Sequence, residues 1–206
     1  MTRERERERE RQRLRIFYED QLGVVPRFPL HRLVLAAAHD LCPQLERWRI
    51  EQRVIALPKK GQGGVLNEVR RARLHVDEGV CVLAWIDDDH VRDLFPGAAR
   101  ATRAEVIQLV RREGGVLGPG RLEIFLLDRN LESLLQALEP ELREALGEER
   151  VTKAIRKKRL DSRDDLLLHI ASSRDLRGRL RLRHQGFDCV ARYVAVLASI
   201  EPWPFH

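Results

Sequence analysis

The sequence predicts an α/β protein: a mostly parallel sheet of about four strands, helices on both of its faces, and a basic helical part at the C-terminal end. Three observations carry this. Short apolar runs bounded by charge alternate with longer helical patterns over roughly the first two thirds of the chain, as parallel strands joined by crossover helices do. One run, "GVCVLAWI" from Gly79 to Ile86, holds no charge at all, as expected of a strand buried on both faces. After about Glu149 the pattern is purely helical and basic.

The elements follow in order. "RERERERE" near the start is low-complexity and alternates like charges at i,i+4, so residues 1–12 are read as a charged tail. Leu14 to Tyr18 is apolar and stops at Glu19 and Asp20, giving a first strand. A loop containing proline, "GVVPRFP", leads into a helix from about Leu30 to Leu41. Gln52 to Pro58 reads as a second strand, "KKGQGG" as a glycine loop, and "VLNEVRRARLHV" as the next helix. The Gly79–Ile86 run is the third strand. Thr102 with Glu105 three residues on is a capping-box pattern opening a helix that ends in glycine. "GPGRLEIFLLD" supplies a fourth strand and "NLESLLQALEPELREAL" a helix, and "FDCVARYVAVLASI" closes the chain. Residues 13–149 are therefore expected to form the α/β core and residues 150–206 a basic helical extension packed on it.

No window reaches the ~18 consecutive apolar residues of a membrane span, and the charged opening has no apolar segment behind it to act as a secretory signal. Cys42, Cys81 and Cys189 are few, far apart and set among apolar residues, so buried free thiols in a reducing cytoplasm are expected. Trp48 and Trp85 are expected in the core, and Trp203, between two prolines, as a cap on the domain or a partner contact. The net charge is +6, yet Val151 to His184 alone carries eleven Lys or Arg against four Asp. That concentration points to a polyanionic partner, with a solvated helix face as the alternative.

The strand ends carry the chemistry. In open parallel sheets ligands gather beyond the carboxyl ends of the strands. Here strand one ends in Glu19, strand three in Asp87, Asp88 and Asp89, and strand four in Asp128, with Glu132 a turn later. Carboxylates crowded together stay ionised only if a cation holds them, and an oxygen-only set selects Mg²⁺ or Mn²⁺ over zinc. If the backbone is extended through the acidic run, Asp87 and Asp89 share one side and Asp88 starts a helix on the other. The alternative is that each acid caps the helix that follows it.

A strand ending in glutamate, a later strand ending in Asp-x-Asp and a third acidic element resemble the TOPRIM domain. The order is most similar to small stand-alone TOPRIM-like proteins, the RloB-like and OLD-nuclease-related group of phage-defence neighbourhoods. The resemblance rests on Glu19, the "PKKGQGG" segment, Asp87 and Asp89, Glu132 in "NLESLL", and the closing "GFDCVARYVAVL". It implies a Rossmann-like TOPRIM fold and a nuclease that holds Mg²⁺ or Mn²⁺ with Glu19, Asp87, Asp89 and Glu132. Glu19 would orient or deprotonate the attacking water, and a lysine would neutralise the scissile phosphate: Lys59 or Lys60, or Lys157 or Lys158, with Lys158 the catalytic candidate. It further implies a nucleic-acid partner, DNA ahead of RNA, contacted by Lys59, Lys60, Lys153, Arg156, Lys157, Lys158 and Arg159, and a partner ATPase. Two departures stand out: Asp20 occupies the place of the family's usual glycine, and a third acid extends the Asp-x-Asp. They leave room for a second reading, an inactive nucleic-acid-binding or adaptor subunit. "PKKGQGG" lacks the Gly-Lys-Ser/Thr ending of a Walker motif, so no triphosphate hydrolysis is read into it.

His90, beside the acids, is read mainly as a surface group, and His39, His75 and His169 as helix-face residues without partners. Ser172 and Ser173 lack a nucleophile's context, and the scarcity of aromatics argues against a stacking platform for single strands.

Overall fold

The computed structural model describes residues 13–19, 29–59, 61–95, 97–118, 120–127, 131–156 and 160–204, with residues 19, 58, 61, 62, 90, 160 and 161 described in backbone alone. Four parallel strands form one sheet: β1 (Leu14–Glu19), β2 (Val54–Lys59), β3 (Cys81–Asp87) and β4 (Leu122–Leu127), in the order β2-β1-β3-β4. All four expected strands are present, and helices cover both faces, as the sequence predicts.

Alternation along the strands splits the core in two. Leu14, Ile16 and Tyr18 of β1, with Cys81, Leu83 and Trp85 of β3, face α1 (Pro29–Leu41), α2 (Arg47–Arg53) and the C-terminal helices. Phe17, Val82, Ala84, Ile86, Leu122, Ile124 and Leu126 face the other layer. That layer holds α3 (Gly61–Arg70), α4 (Ala72–Asp77), α5 (Asp88–Leu94) and α6 (Arg103–Glu113). The β1-to-β2 connection thus runs on one face and the β2-to-β3 and β3-to-β4 connections on the other, so the winding reverses between β1 and β3.

After β4 come α7 (Glu132–Gln136), α8 (Glu139–Leu146), α9 (Glu148–Ile155), α10 (Leu160–Ser172), α11 (Arg174–Arg183) and α12 (Gln185–Ser199). Leu166, Ile170, Leu180, Val190 and Val194 of this series lie in the same cluster as Leu14, Leu33 and Trp85. The C-terminal helices therefore share a core with the sheet. They are pinned to it by a bidentate, buried ion pair, Arg177 to Asp40 of α1 at 2.6 and 2.8 Å. Trp203 is buried and acts as a cap: its indole N–H donates to the Gly79 carbonyl at 3.0 Å, and the Arg13 guanidinium lies 5.2 Å from its ring centroid.

Several expectations are corrected. "KKGQGG" is not a loop: α3 begins at Gly61 and runs through the glycines. Gly64 sits where a Cβ would lie 3.1 Å from Lys59 Cβ, so its lack of a side chain lets the helix start against β2. Gln52 and Arg53 end a helix instead of starting a strand. "NLESLLQALEPELREAL" is two helices, because Pro140 has no N–H for a continuing turn and sits in the first turn of a new one. Trp48 is half exposed, with its N–H on Glu46, and Cys189 is exposed while Cys42 and Cys81 are buried. No helix among the described residues is long and apolar enough to cross a membrane.

Candidate functional site

The winding reverses between β1 and β3, and in open α/β sheets the place beyond the carboxyl ends of such a strand pair is where ligands bind. The register fixes what stands there. Tyr18 pairs with Trp85, so Glu19 ends β1 one step further on, beside the last residues of β3, and Asp87 ends β3 level with Leu127 of β4. On the far side Glu19 is level with Lys59. Three strand ends are thus brought to one edge, two of them acidic.

The acidic run turns sharply. Asp87 is the last extended residue, with ψ 126°, and Asp88 begins α5. The expectation that an extended backbone puts Asp87 and Asp89 on one side therefore fails, because the chain is helical from Asp88; Asp88 as a helix-start residue agrees with it. Asp87 is half-buried and already engaged in a polar or electrostatic contact, although its side chain does not cap the helix. Asp88 binds Arg92 at 3.1 Å one turn on, and Asp89 is exposed. Arg92 donates further to the carbonyls of Ala98 and Ala101 at 3.0 and 2.7 Å, tying the following segment to the acidic edge. The repulsion among three aspartates is thus relieved in part by a guanidinium and in part by exposure.

At the end of β4, Arg103 from the start of α6 donates to the Leu126 carbonyl. Gly186 of α12 approaches the same carbonyl, where a Cβ would lie 3.3 Å away. Beside this point is Ser133, whose Oγ is 3.1 Å from Nε2 of the buried His184. The pair invites a nucleophile–base reading that the sequence did not raise. Its tautomer argues otherwise: His184 Nδ1 accepts the Phe187 N–H at 3.1 Å as the cap of α12, so Nε2 carries the proton and donates to Ser133. The preceding residue, Glu132, is buried and has no hydrogen-bond or ion-pair partner among the described residues.

An oxygen-only donor set suits a hard cation, and a buried carboxylate without a partner is the feature a cation would explain. Among the described residues, however, no three His, Cys, Asp or Glu side chains converge to hold one. The side chains of Glu19 and His90, and all of Asp128, lie outside the described part.

The cations fall differently from expectation. Lys59 does not reach outward: its ammonium is 2.9 Å from Glu68 and 5.7 Å from the Phe17 ring centroid. Glu68 also meets His75 at 3.3 Å, and Arg15 donates to His75 Nδ1 at 2.5 Å while pairing with Glu78, so His75 is a partnered residue. Against the cost of burial, Lys59 and His75 hold the Glu68 carboxyl below its usual range. In the basic stretch, Lys153, Arg163, Arg174, Arg177, Arg179, Arg181 and Arg183 all stand within 4 Å of a carboxylate. Glu141, taking Arg183 and Arg179, is held down to about 2 by those hydrogen bonds. Arg156 is exposed, and Lys60, Lys157, Lys158 and Arg159 lie outside the described residues. Most of the described positive charge of that stretch is thus neutralised within the molecule.

No family model, curated protein or solved structure matches this chain.

Proposed function

We propose that this chain is a divalent-metal-dependent nuclease of TOPRIM type that cleaves phosphodiester bonds in nucleic acid at the β1/β3 crevice. One observation carries the reading: the register sets Glu19 and Asp87 at adjacent strand ends, on either side of the winding reversal. Glu19, Asp87 and Glu132 would hold Mg²⁺ or Mn²⁺, with the exposed Asp89 at the rim. When bound, the metal would supply neutralisation of the charge that builds on the phosphate oxygens. Glu19 would orient the attacking water or take its proton. Arg92 keeps Asp88 out of the donor set and holds the Ala98–Ala101 segment against the edge. Lys158 remains the candidate to stabilise the scissile phosphate, and Lys59, spent on Glu68, does not.

The test is cleavage of plasmid, single-stranded DNA and RNA by the purified chain in Mg²⁺, in Mn²⁺ and in a chelator. Metal-dependent cutting that is lost in Asp87→Ala and Glu19→Ala, with circular dichroism unchanged, is the expected result. Cutting that survives both substitutions refutes the site.

A second reading has its own support: Asp88 is paired and Asp89 exposed, leaving Asp87 and Glu132 as the described carboxylates near the edge. On that reading the chain is a nucleic-acid-binding or adaptor subunit of a larger, ATPase-containing complex and does not cut. Binding without cleavage in the same assay, with or without metal, favours it.

A further inference from the structure

Among the described residues, free positive charge is concentrated on the side of the sheet away from the basic C-terminal stretch. Six exposed arginines there and elsewhere have side chains that make no ion pair or hydrogen bond within the described part: Arg32, Arg71, Arg73, Arg100, Arg112 and Arg156. Four of them, Arg71, Arg73, Arg100 and Arg112, belong to or adjoin the α3–α4–α6 layer. An ion pair of 2.7 Å between Arg70 and Glu113 joins the ends of α3 and α6, with Arg71 and Arg112 next to it in sequence.

Along α6 runs an open groove of about 610 Å³, floored by Ala101, Ala104 and Leu109 and bounded by Arg100 and Arg112. Its one acid, Glu105, is committed to the capping box, where Thr102 N–H and hydroxyl hydrogen bonds hold its carboxyl below the usual range. The Arg100 end adjoins the acidic edge, because Arg92, paired with Asp88, grips the carbonyls of Ala98 and Ala101 on either side of it. The eleven-residue α6 is about 16 Å long at ~1.5 Å per residue. That is the rise of roughly five phosphates of one strand, measured along the axis of a duplex at ~3.4 Å per phosphate.

We propose that this groove is the track on which a nucleic-acid backbone runs away from the β1/β3 crevice. Arg100 and Arg112 contact phosphates along it, and Arg71 and Arg73 extend the path. The proposal rests on the reading of nucleic acid as the substrate of that crevice. Guanidinium forks match phosphate oxygens, and here they hold no described internal partner that a phosphate must displace. At the C-terminal surface, by contrast, a phosphate would have to displace Asp175, Glu141 and Asp188 from Arg179, Arg183, Arg181 and Arg192. An acidic protein would meet the same arginines, and the experiment separates it from nucleic acid.

The experiment is fluorescence anisotropy with labelled duplex DNA, single-stranded DNA and RNA, titrated over a range of NaCl in chelator so that no cutting occurs. The full chain, the Arg100→Ala/Arg112→Ala double variant and Arg192→Ala are compared. Each phosphate neutralised on a duplex contributes ~0.9 to the slope of log K against log salt, so the double variant should be shallower by about 1.8. Arg192→Ala should keep the wild-type slope. A wild-type slope in the double variant, or a slope reduced instead in Arg192→Ala, overturns the track while leaving the crevice reading intact. A chain that binds none of the three nucleic acids overturns both. Labelled polyglutamate, bound through the same arginines more tightly than any nucleic acid, would assign the groove to an acidic protein and end the proposal.

Discussion

Mild acid should loosen this protein through His31. Its Nδ1 lies 3.1 Å from the Tyr18 hydroxyl, the ring also bonds the Val54 backbone, and burial pulls its pKa from 6.5 to about 4. The folded value lies below the unfolded one, so as pH falls the unfolded chain takes up the proton first. Stability is full above the unfolded value, declines from about 6.5 downward, and levels off once the pH is below about 4. Between about pH 7 and about pH 5 this single group costs about 2 kcal/mol, from ~1.4 kcal/mol for each tenfold difference in proton affinity. The carboxylates held below their usual range, Glu68, Glu105, Glu141, Asp188 and Glu201, lose their contribution only at lower pH, so the window isolates histidine. Urea unfolding of the wild type and His31→Gln at both pH values measures the effect. The glutamine can both accept from Tyr18 and donate to the Val54 carbonyl, so it keeps the bonds and removes the titration. An equal pH dependence in the two proteins refutes the reasoning.

Further outcomes follow from the packing. Asp40→Ala strips the buried Arg177 guanidinium of its bidentate partner and should cost about 3–5 kcal/mol in urea unfolding; the Asp40→Ala/Arg177→Met double variant should recover part of that. Gly114→Ala puts a Cβ 2.5 Å from Leu122 Cδ2 and 3.1 Å from the Val69 carbonyl, and should lower stability by about 1–3 kcal/mol. Trp203→Ala removes a buried ring and its hydrogen bond to Gly79, and should cost about 3 kcal/mol or more in the same assay.

The sheet was legible because strand burial writes itself into composition: an uncharged, apolar run such as Val80–Ile86, too short for a buried helix, belongs in the middle of a sheet. The Thr102–Glu105 box was legible because capping is local chemistry, and both of its hydrogen bonds are present. What the sequence hid was set by tertiary contact. Glycines after Lys59 look like a loop, yet they start α3 because the helix must press on β2. Trp48 and Cys189 look like core residues by type, but the helix faces that carry them point outward.

At the site, the placement of Glu19 and Asp87 at neighbouring strand ends follows from strand order, which alternation along the chain does not reveal. The fate of Asp88 and Asp89 depends on where β3 turns into α5, a boundary that three identical residues cannot mark. Nor could a count of charges show that two of the acids paired with the C-terminal arginines come from elements outside the basic stretch, Asp40 of α1 and Glu141 of α8. Ser133 and His184 stand 51 residues apart, and no local pattern announces that they meet.

The most direct measurement is anomalous scattering from a crystal of the full chain soaked in Mn²⁺. The expected result is a peak at the carboxyl ends of β1 and β3 in contact with Asp87 and Glu19, and loss of that peak in Asp87→Ala. A crevice without density, or manganese bound only elsewhere, contradicts the metal-dependent site.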